Sequence, residues 1–119
     1  MNWTPDKKKP ICPQICQQIC AFIAAGDLVP HQRLLSVREL AVTAGVNPNT
    51  VQHAFTQLEQ QGILYSQRGA GWFVAPDITA ATEMHRNAVR EKVNTFFAEM
   101  AELGIDAEQT KEFVKEWLP

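Results

Sequence analysis

The chain has 119 residues, 45% of them hydrophobic, and a net charge of −2, enough for one compact domain with an appendage. No apolar run approaches the roughly 20 residues that cross a bilayer. The opening MNWTPDKKKP leads into a broken apolar stretch without a small-residue cleavage pattern. A cytoplasmic protein with no signal peptide and no membrane partner is therefore expected.

Residues 10–26, from Pro10 to Gly26, predict a first helix. Ile11, Ile15, Ile19 and Ile23 form one stripe, Cys12, Cys16 and Cys20 the next, and Gln14, Gln17 and Gln18 face outward. The cysteines are spaced C-x3-C-x3-C, which lacks the C-x2-C pairing of zinc sites, and no His nearby in sequence completes a ligand set. They read as small buried hydrophobes, with no metal and no cofactor expected. A reducing cytoplasm disfavours disulfides among them. Residues 27–32 read as a loop, and Arg33-Leu34-Leu35 as a very short strand.

Ser36 and Glu39 form a capping box that opens a short helix with Val37, Leu40, Ala41 and Ala44 on its apolar face, ended by Gly45. Asn47 then reads as an N-cap, with Pro48 at the first helical position. Val51, Ala54, Phe55 and Leu58 keep helical spacing on the inner face of this second helix, and Gly62 closes it. Two helices joined by a tight turn are a helix-turn-helix, whose second helix is shaped to enter a major groove. Its outer face carries Asn49, Thr50, Gln52, His53, Thr56 and Gln57 close behind Asn47. Uncharged amides at a helix N-terminus suit base edges, adenine in particular.

Ile63–Gln67 and Trp72–Ala75 are rich in β-formers and flank the turn Arg68-Gly69-Ala70-Gly71. A hairpin directly after a helix-turn-helix is the arrangement of a winged helix. Arg68 at its tip is placed to reach phosphates or a narrow minor groove. The glycines serve tight turning rather than a nucleotide-phosphate loop, since no P-loop Lys follows. Trp72 and Phe73 alternate across the hairpin, so one of them faces the core.

The stretch LLSVRELAVTAGVNPNTVQHAFTQLEQQGILYSQRGAGWFVA resembles the DNA-binding domain of the GntR family of bacterial transcriptional regulators. The likeness extends from about Pro10 to Ala75, and S-V-R-E-L-A, G-V-N-x-N-T-V and R-G-x-G-x-F-V carry it. It implies that Ser36 and Arg38 hold phosphate and base. It further implies that Asn47, Asn49, Thr50, Gln52 and His53 read the major groove, and that the wing tip from Arg68 through Gly69 to Gly71 enters the minor groove. Pro48 stands where the family usually has Arg, Gln52 and His53 where basic residues are frequent, and His31 and Leu35 where Gly and Pro are common.

The charge divides along the chain. Residues 1–76 carry six Lys and Arg against four Asp and Glu, residues 77–119 five against nine. A mildly basic front and an acidic tail fit a DNA-binding domain over 1–76 and a separate task for 77–119. In the tail, Thr79 to Leu103 predicts a long helix on which Val89, Val93, Phe96, Met100 and Leu103 step by 4, 3, 4, 3, a heptad seam. Gly104 stops it. Asp106 and Gln109 form a second capping box opening a last helix, with Phe113, Val114, Trp117 and Leu118 as its apolar face. Two such faces exceed what a small hairpin of helices buries alone, which points to a homodimer.

The expected fold is mainly α with a small β-hairpin: a winged helix followed by a two-helix dimerisation tail. A winged helix with only so short a tail resembles the YtrA-like subfamily, which implies a homodimeric repressor, often of transporter operons; the function expected is that of a homodimeric repressor binding double-stranded DNA at a palindromic operator. The rival readings are a protein-interaction module that has lost DNA binding, and a regulator sensing thiol chemistry or a small ligand, whose identity the sequence leaves unknown. An enzyme is not expected, because His31, His53 and His85 lie on a loop, a recognition face and a tail helix with no nucleophile–base–acid set.

Overall fold

The computed structural model describes residues 3–118; Met1, Asn2 and Pro119, which belong to the expected segments 1–76 and 77–119, lie outside the described residues. Among the described residues five helices and one hairpin follow in the expected order: α1 (Ile11–Ala24), α2 (Val37–Ala44), α3 (Pro48–Gln60), β1 (Leu64–Gln67), β2 (Gly71–Val74), α4 (Thr79–Glu102) and α5 (Ala107–Trp117). The chain divides into two compact units, Met1–His85 and Arg86–Pro119, each described by itself below.

In the first unit, α1 turns Ile15, Ile19 and Ile23 inward, and α3 turns Val51, Ala54, Phe55 and Leu58 inward. These residues, with Leu40, Ala41, Leu64 and Val74, make one core. Burying each large aliphatic or aromatic side chain removes apolar surface from water, worth roughly 1.5–3 kcal/mol. Cys16 and Cys20 join the core and Cys12 is half-buried. Burial, then the neighbouring Cys12 thiol, pushes the pKa of Cys16 up to about 12, and burial pushes that of Cys20 up to about 11. Both stay protonated at neutral pH, so neither offers the thiolate that redox chemistry needs. Cys20 donates to the thioether of Met84 at 3.4 Å, which ties α1 to the first turns of α4, where Ala81 is also buried.

The local signals hold at residue level. Ser36 Oγ accepts from Glu39 N at 3.1 Å and Glu39 Oε1 from Ser36 N at 3.0 Å, and Gly45 ends α2 in the left-handed region at φ 67°. Asn47 Oδ1 caps α3 by accepting from Asn49 N at 2.8 Å, and Gly62 follows that helix at φ 76°. The hairpin pairs antiparallel with Leu64 opposite Val74 and Gln67 opposite Gly71.

Three expectations change. Arg33-Leu34-Leu35 makes no strand: only Arg33 bridges to Phe73, and Leu34 N donates to Trp72 O at 2.8 Å. The N-cap at Ser36 turns the chain into a helix before a third strand can extend. Gln14 and Gln18 are half-buried rather than fully outward, and the Gln14 amide clamps Asp6 from both sides, with Asp6 N at 2.8 Å and Asp6 O at 2.9 Å. Gln57 is half-buried, drawn into the seam with α1 by the Cys12 thiol at 3.4 Å.

The second unit holds the remainder of α4 and all of α5. Asp106 and Gln109 form the expected capping box, with Asp106 Oδ1 accepting from Gln109 N at 2.8 Å. Thr110 is buried, its hydroxyl donated to Asp106 O at 2.8 Å. The apolar residues of the expected seam stay at the surface of the single chain: Phe96 is 44% exposed and Leu103 76%.

Two outcomes follow for stability. Cys16→Ala opens a cavity and Cys20→Ser places a hydroxyl among apolar groups, so each is expected to lower unfolding free energy by about 1–3 kcal/mol in denaturant melts. The Ser36 backbone and hydroxyl, with a smaller push from Arg33, hold the Glu39 carboxyl below its ordinary 4.5. A depressed folded value stabilises above the unfolded pKa and is lost as pH falls through the folded one. Thermal melts should therefore show wild type above Glu39→Gln at neutral pH, with the gap narrowing on acidification below the ordinary carboxylate range.

Candidate nucleic-acid interface

The face that α3 does not bury carries the polar residues singled out from the sequence. Asn49, Gln52 and His53 are exposed and Thr50 is half-buried. They share a face because the inward residues Val51, Ala54, Phe55 and Leu58 occupy the opposite one. Local bonds orient several of them. Gln52 Nε2 lies 3.4 Å from Thr56 Oγ1, which itself donates to Gln52 O at 2.9 Å. His53 Nε2 lies 3.4 Å from Gln57 Nε2. Because Gln57 also meets the thiols of Cys12 and Cys16, it braces His53 from the α1 side. The oxygen of Asn47 is committed to its cap, which leaves its amide N–H groups as the outward-facing chemistry.

Arg38, exposed on the first turn of α2, borders a largely apolar groove with Ala41, Val42, Gly45, Val46 and Pro48. Arg38 thus shares this groove with Pro48, the first residue of α3. Ser36 is half-buried, its oxygen engaged by Glu39 N.

The wing is held against α3 from two sides. Trp72 meets the buried Phe55 edge to face with centroids 5.4 Å apart, while Phe73 stacks on Tyr65 at 5.4 Å; Trp72 is thus the residue that turns to the core. Ser66 donates through backbone and hydroxyl to Glu59 Oε2 at 3.1 and 2.7 Å, fixing β1 to the end of α3. At the tip Arg68, Gly69 and Ala70 are exposed, and Gly69 and Gly71 adopt φ 78° and 110°, which an L side chain resists.

One basic residue belongs to this face that sequence reasoning did not place there. Arg33 bridges to Phe73, and its Nε lies only 3.3 Å from where a Cβ at Gly71 would stand. The same guanidinium lowers the pKa of Glu39 in the α2 cap. Arg33 thereby stands at the base of the wing, and its sequence signal was a cation three residues ahead of the capping box. His31, in the left-handed region at φ 66°, supports this corner by bonding Tyr65 Oη at 2.9 Å.

Among the described residues no helix is long and apolar enough to cross a membrane, and no group of three or more His, Cys, Asp or Glu is arranged to hold a metal.

The sequence model of bacterial regulatory proteins, gntR family, matches residues 13–74. The HTH-type transcriptional repressor YtrA of Bacillus subtilis is 33% identical over 113 residues, covering 94% of this chain and 87% of that protein. A GntR family transcriptional regulator from Listeria monocytogenes superposes with TM-score 0.81 at 36% identity, over 94% of this chain and 98% of that one. AraR(DBD) in complex with operator ORE1 superposes with TM-score 0.54 at 36% identity, over 56% of this chain and 82% of that one. The family and these relatives are transcriptional regulators rather than enzymes, and with its model matched over more than half of the length, the chain belongs to the GntR family of bacterial regulatory proteins.

Proposed function

We propose that this protein is a cytoplasmic, homodimeric repressor that binds a palindromic operator, with residues 1–76 contacting DNA and 77–119 joining the two copies. The observation that carries the DNA assignment is the grouping of Arg38, the α3 face and the wing tip around a single buried stripe on α3. In this reading Asn47, Asn49, Thr50, Gln52 and His53 meet base edges in the major groove. Ser36 and Arg38 hold phosphate and base, and Arg68, Gly69 and Gly71 enter the minor groove. The YtrA relative is itself a repressor, and the AraR(DBD) complex has operator DNA bound to a domain of similar structure.

The dimer is inferred from apolar surface without a partner in the single chain. Val89, Val93 and Phe96 on α4, Leu103 directly after it, and Phe113 and Trp117 on α5 are exposed, with Trp117 at 87%, and Met100 on α4 is half-buried. Their 4-3-4-3 spacing along α4 is that of a helix pairing seam. Two protomers related by a twofold axis present two recognition helices, which matches half-sites of opposite orientation.

Charging the seam should break it. Phe96→Glu is expected to sediment as a monomer with the melting behaviour of an intact first unit and with much weaker operator binding, since an unpaired charge would be buried in the interface. Full dimer in that variant would remove the seam from the reading.

Arg38 and Arg68 should fail in different ways. A guanidinium fork reads guanine O6 and N7 together, so Arg38→Ala should cost about 1–3 kcal/mol and relax preference at one position per half-site. Arg68→Ala should weaken all sequences evenly and reduce the salt slope by about 1 for each phosphate it no longer neutralises. Titrations against a selected operator and its single-base variants at several salt concentrations check both. Full discrimination retained by Arg38→Ala would move base reading elsewhere; no weakening in either variant would favour a protein-interaction role for the winged helix.

A further inference from the structure

Residues 3–10, ahead of α1, are folded onto the helix-turn-helix rather than trailing from it. Trp3 packs against the core and lines a small pocket with Ile15, Ile19, Phe22 and Leu40, and Pro5 is buried. Asp6 is held by both atoms of the Gln14 amide, and its own carboxylate and carbonyl accept from Lys8 N at 3.0 Å and Lys9 N at 3.2 Å. This turn projects Lys7 across the unit, where its ammonium donates to the carbonyl of Gly45. Gly45 is the residue that ends α2, so the cation sits at the electron-rich end of that helix. It also lies two residues ahead of Asn47, the N-cap of α3, and Gly45 lines the same groove as Arg38.

We propose that Lys7 is a DNA-backbone contact: the N-terminal turn delivers its ammonium to the joint between α2 and α3, where it binds a phosphate on the wall of the groove that α3 enters. The inference rests on the DNA reading above. The helix that precedes a recognition helix crosses the phosphate backbone, so a cation fixed at the end of α2 stands beside that backbone. One of the three ammonium hydrogens is given to Gly45 O, and two remain for phosphate oxygens. The bond to Gly45 and the clamp on Asp6 hold the long side chain before DNA arrives, which reduces the ordering cost that a free surface lysine meets on binding. In this arrangement Arg38 reads a base, and Lys7 sets register without sequence preference.

The test is operator binding by full-length wild type, Lys7→Gln, Lys7→Arg and Lys111→Ala, using a selected duplex and its single-base variants between about 50 and 200 mM salt. Lys111 is an exposed α5 residue paired with Glu108 and serves as the control for net charge. Lys7→Gln should weaken every duplex by the same factor and lower the magnitude of the salt slope by about 0.9, so that its deficit shrinks roughly three- to fourfold across that salt range. Lys7→Arg should keep the wild-type slope, and Lys111→Ala should leave it unchanged. An unaltered slope in Lys7→Gln, a loss confined to one base position, or an equal change in Lys111→Ala overturns the Lys7 contact while the DNA reading stands. A wild-type chain that prefers no duplex at any salt overturns the DNA reading itself, and this contact with it.

Discussion

The first unit depends on the burial of one stripe of α3. Val51, Ala54, Phe55 and Leu58 are fully enclosed, and they meet the isoleucines of α1 on one side and Trp72 of the wing on the other. A helix of 13 residues is marginal in water by itself, so packing of this stripe is what makes α3 a helix at all. Burial also settles orientation. Once those four positions face inward, the helical period leaves Asn49, Gln52 and His53 facing out.

Around that stripe, short-range polar bonds remove the remaining freedom. Ser36 with Glu39 and Asn47 with Asn49 N close the helix starts, and each such cap contributes on the order of 1 kcal/mol. Glu59 holds the wing through Ser66, and Arg33 bridges to Phe73 at the base of the wing. The candidate interface therefore rests on a rigid frame, with its exposed residues carried by helix ends and a pinned turn. The cysteines contribute to the frame as packing groups, their thiols raised in pKa by the burial that makes them useful there.

The tail follows a different logic. Its helix α5 is closed by a capping box and supported by ion pairs between Lys111 and Glu108 and between Lys115 and Glu112, which are exposed and individually weak. Those local devices shape a helix without burying its apolar face, and Phe113, Val114 and Trp117 stay in contact with solvent in the single chain. Apolar area of this kind is unfavourable in water, and that is the physical ground for assigning it a second copy.

The amino-acid sequence by itself determined the elements and their ends. The caps at Ser36, Asn47 and Asp106, the left-handed stops at Gly45, Gly62 and Gly104, and the glycine-flanked hairpin all act within a few residues, so local composition was enough to read them. The apolar periodicity of α1 and α3 likewise announced which faces would meet. Only the tertiary structure decided which polar side chains are free to act. Gln14 and Gln57 look like solvent-facing amides in the sequence, yet one clamps Asp6 and the other fills the seam beside Cys12. Arg33 and Lys7 look like ordinary surface cations, yet they lie against Gly71 and Gly45. A partner 38 residues away, as Gly45 is from Lys7, leaves no trace in local spacing, because the contact exists only once α1, α2 and α3 have packed around the same core.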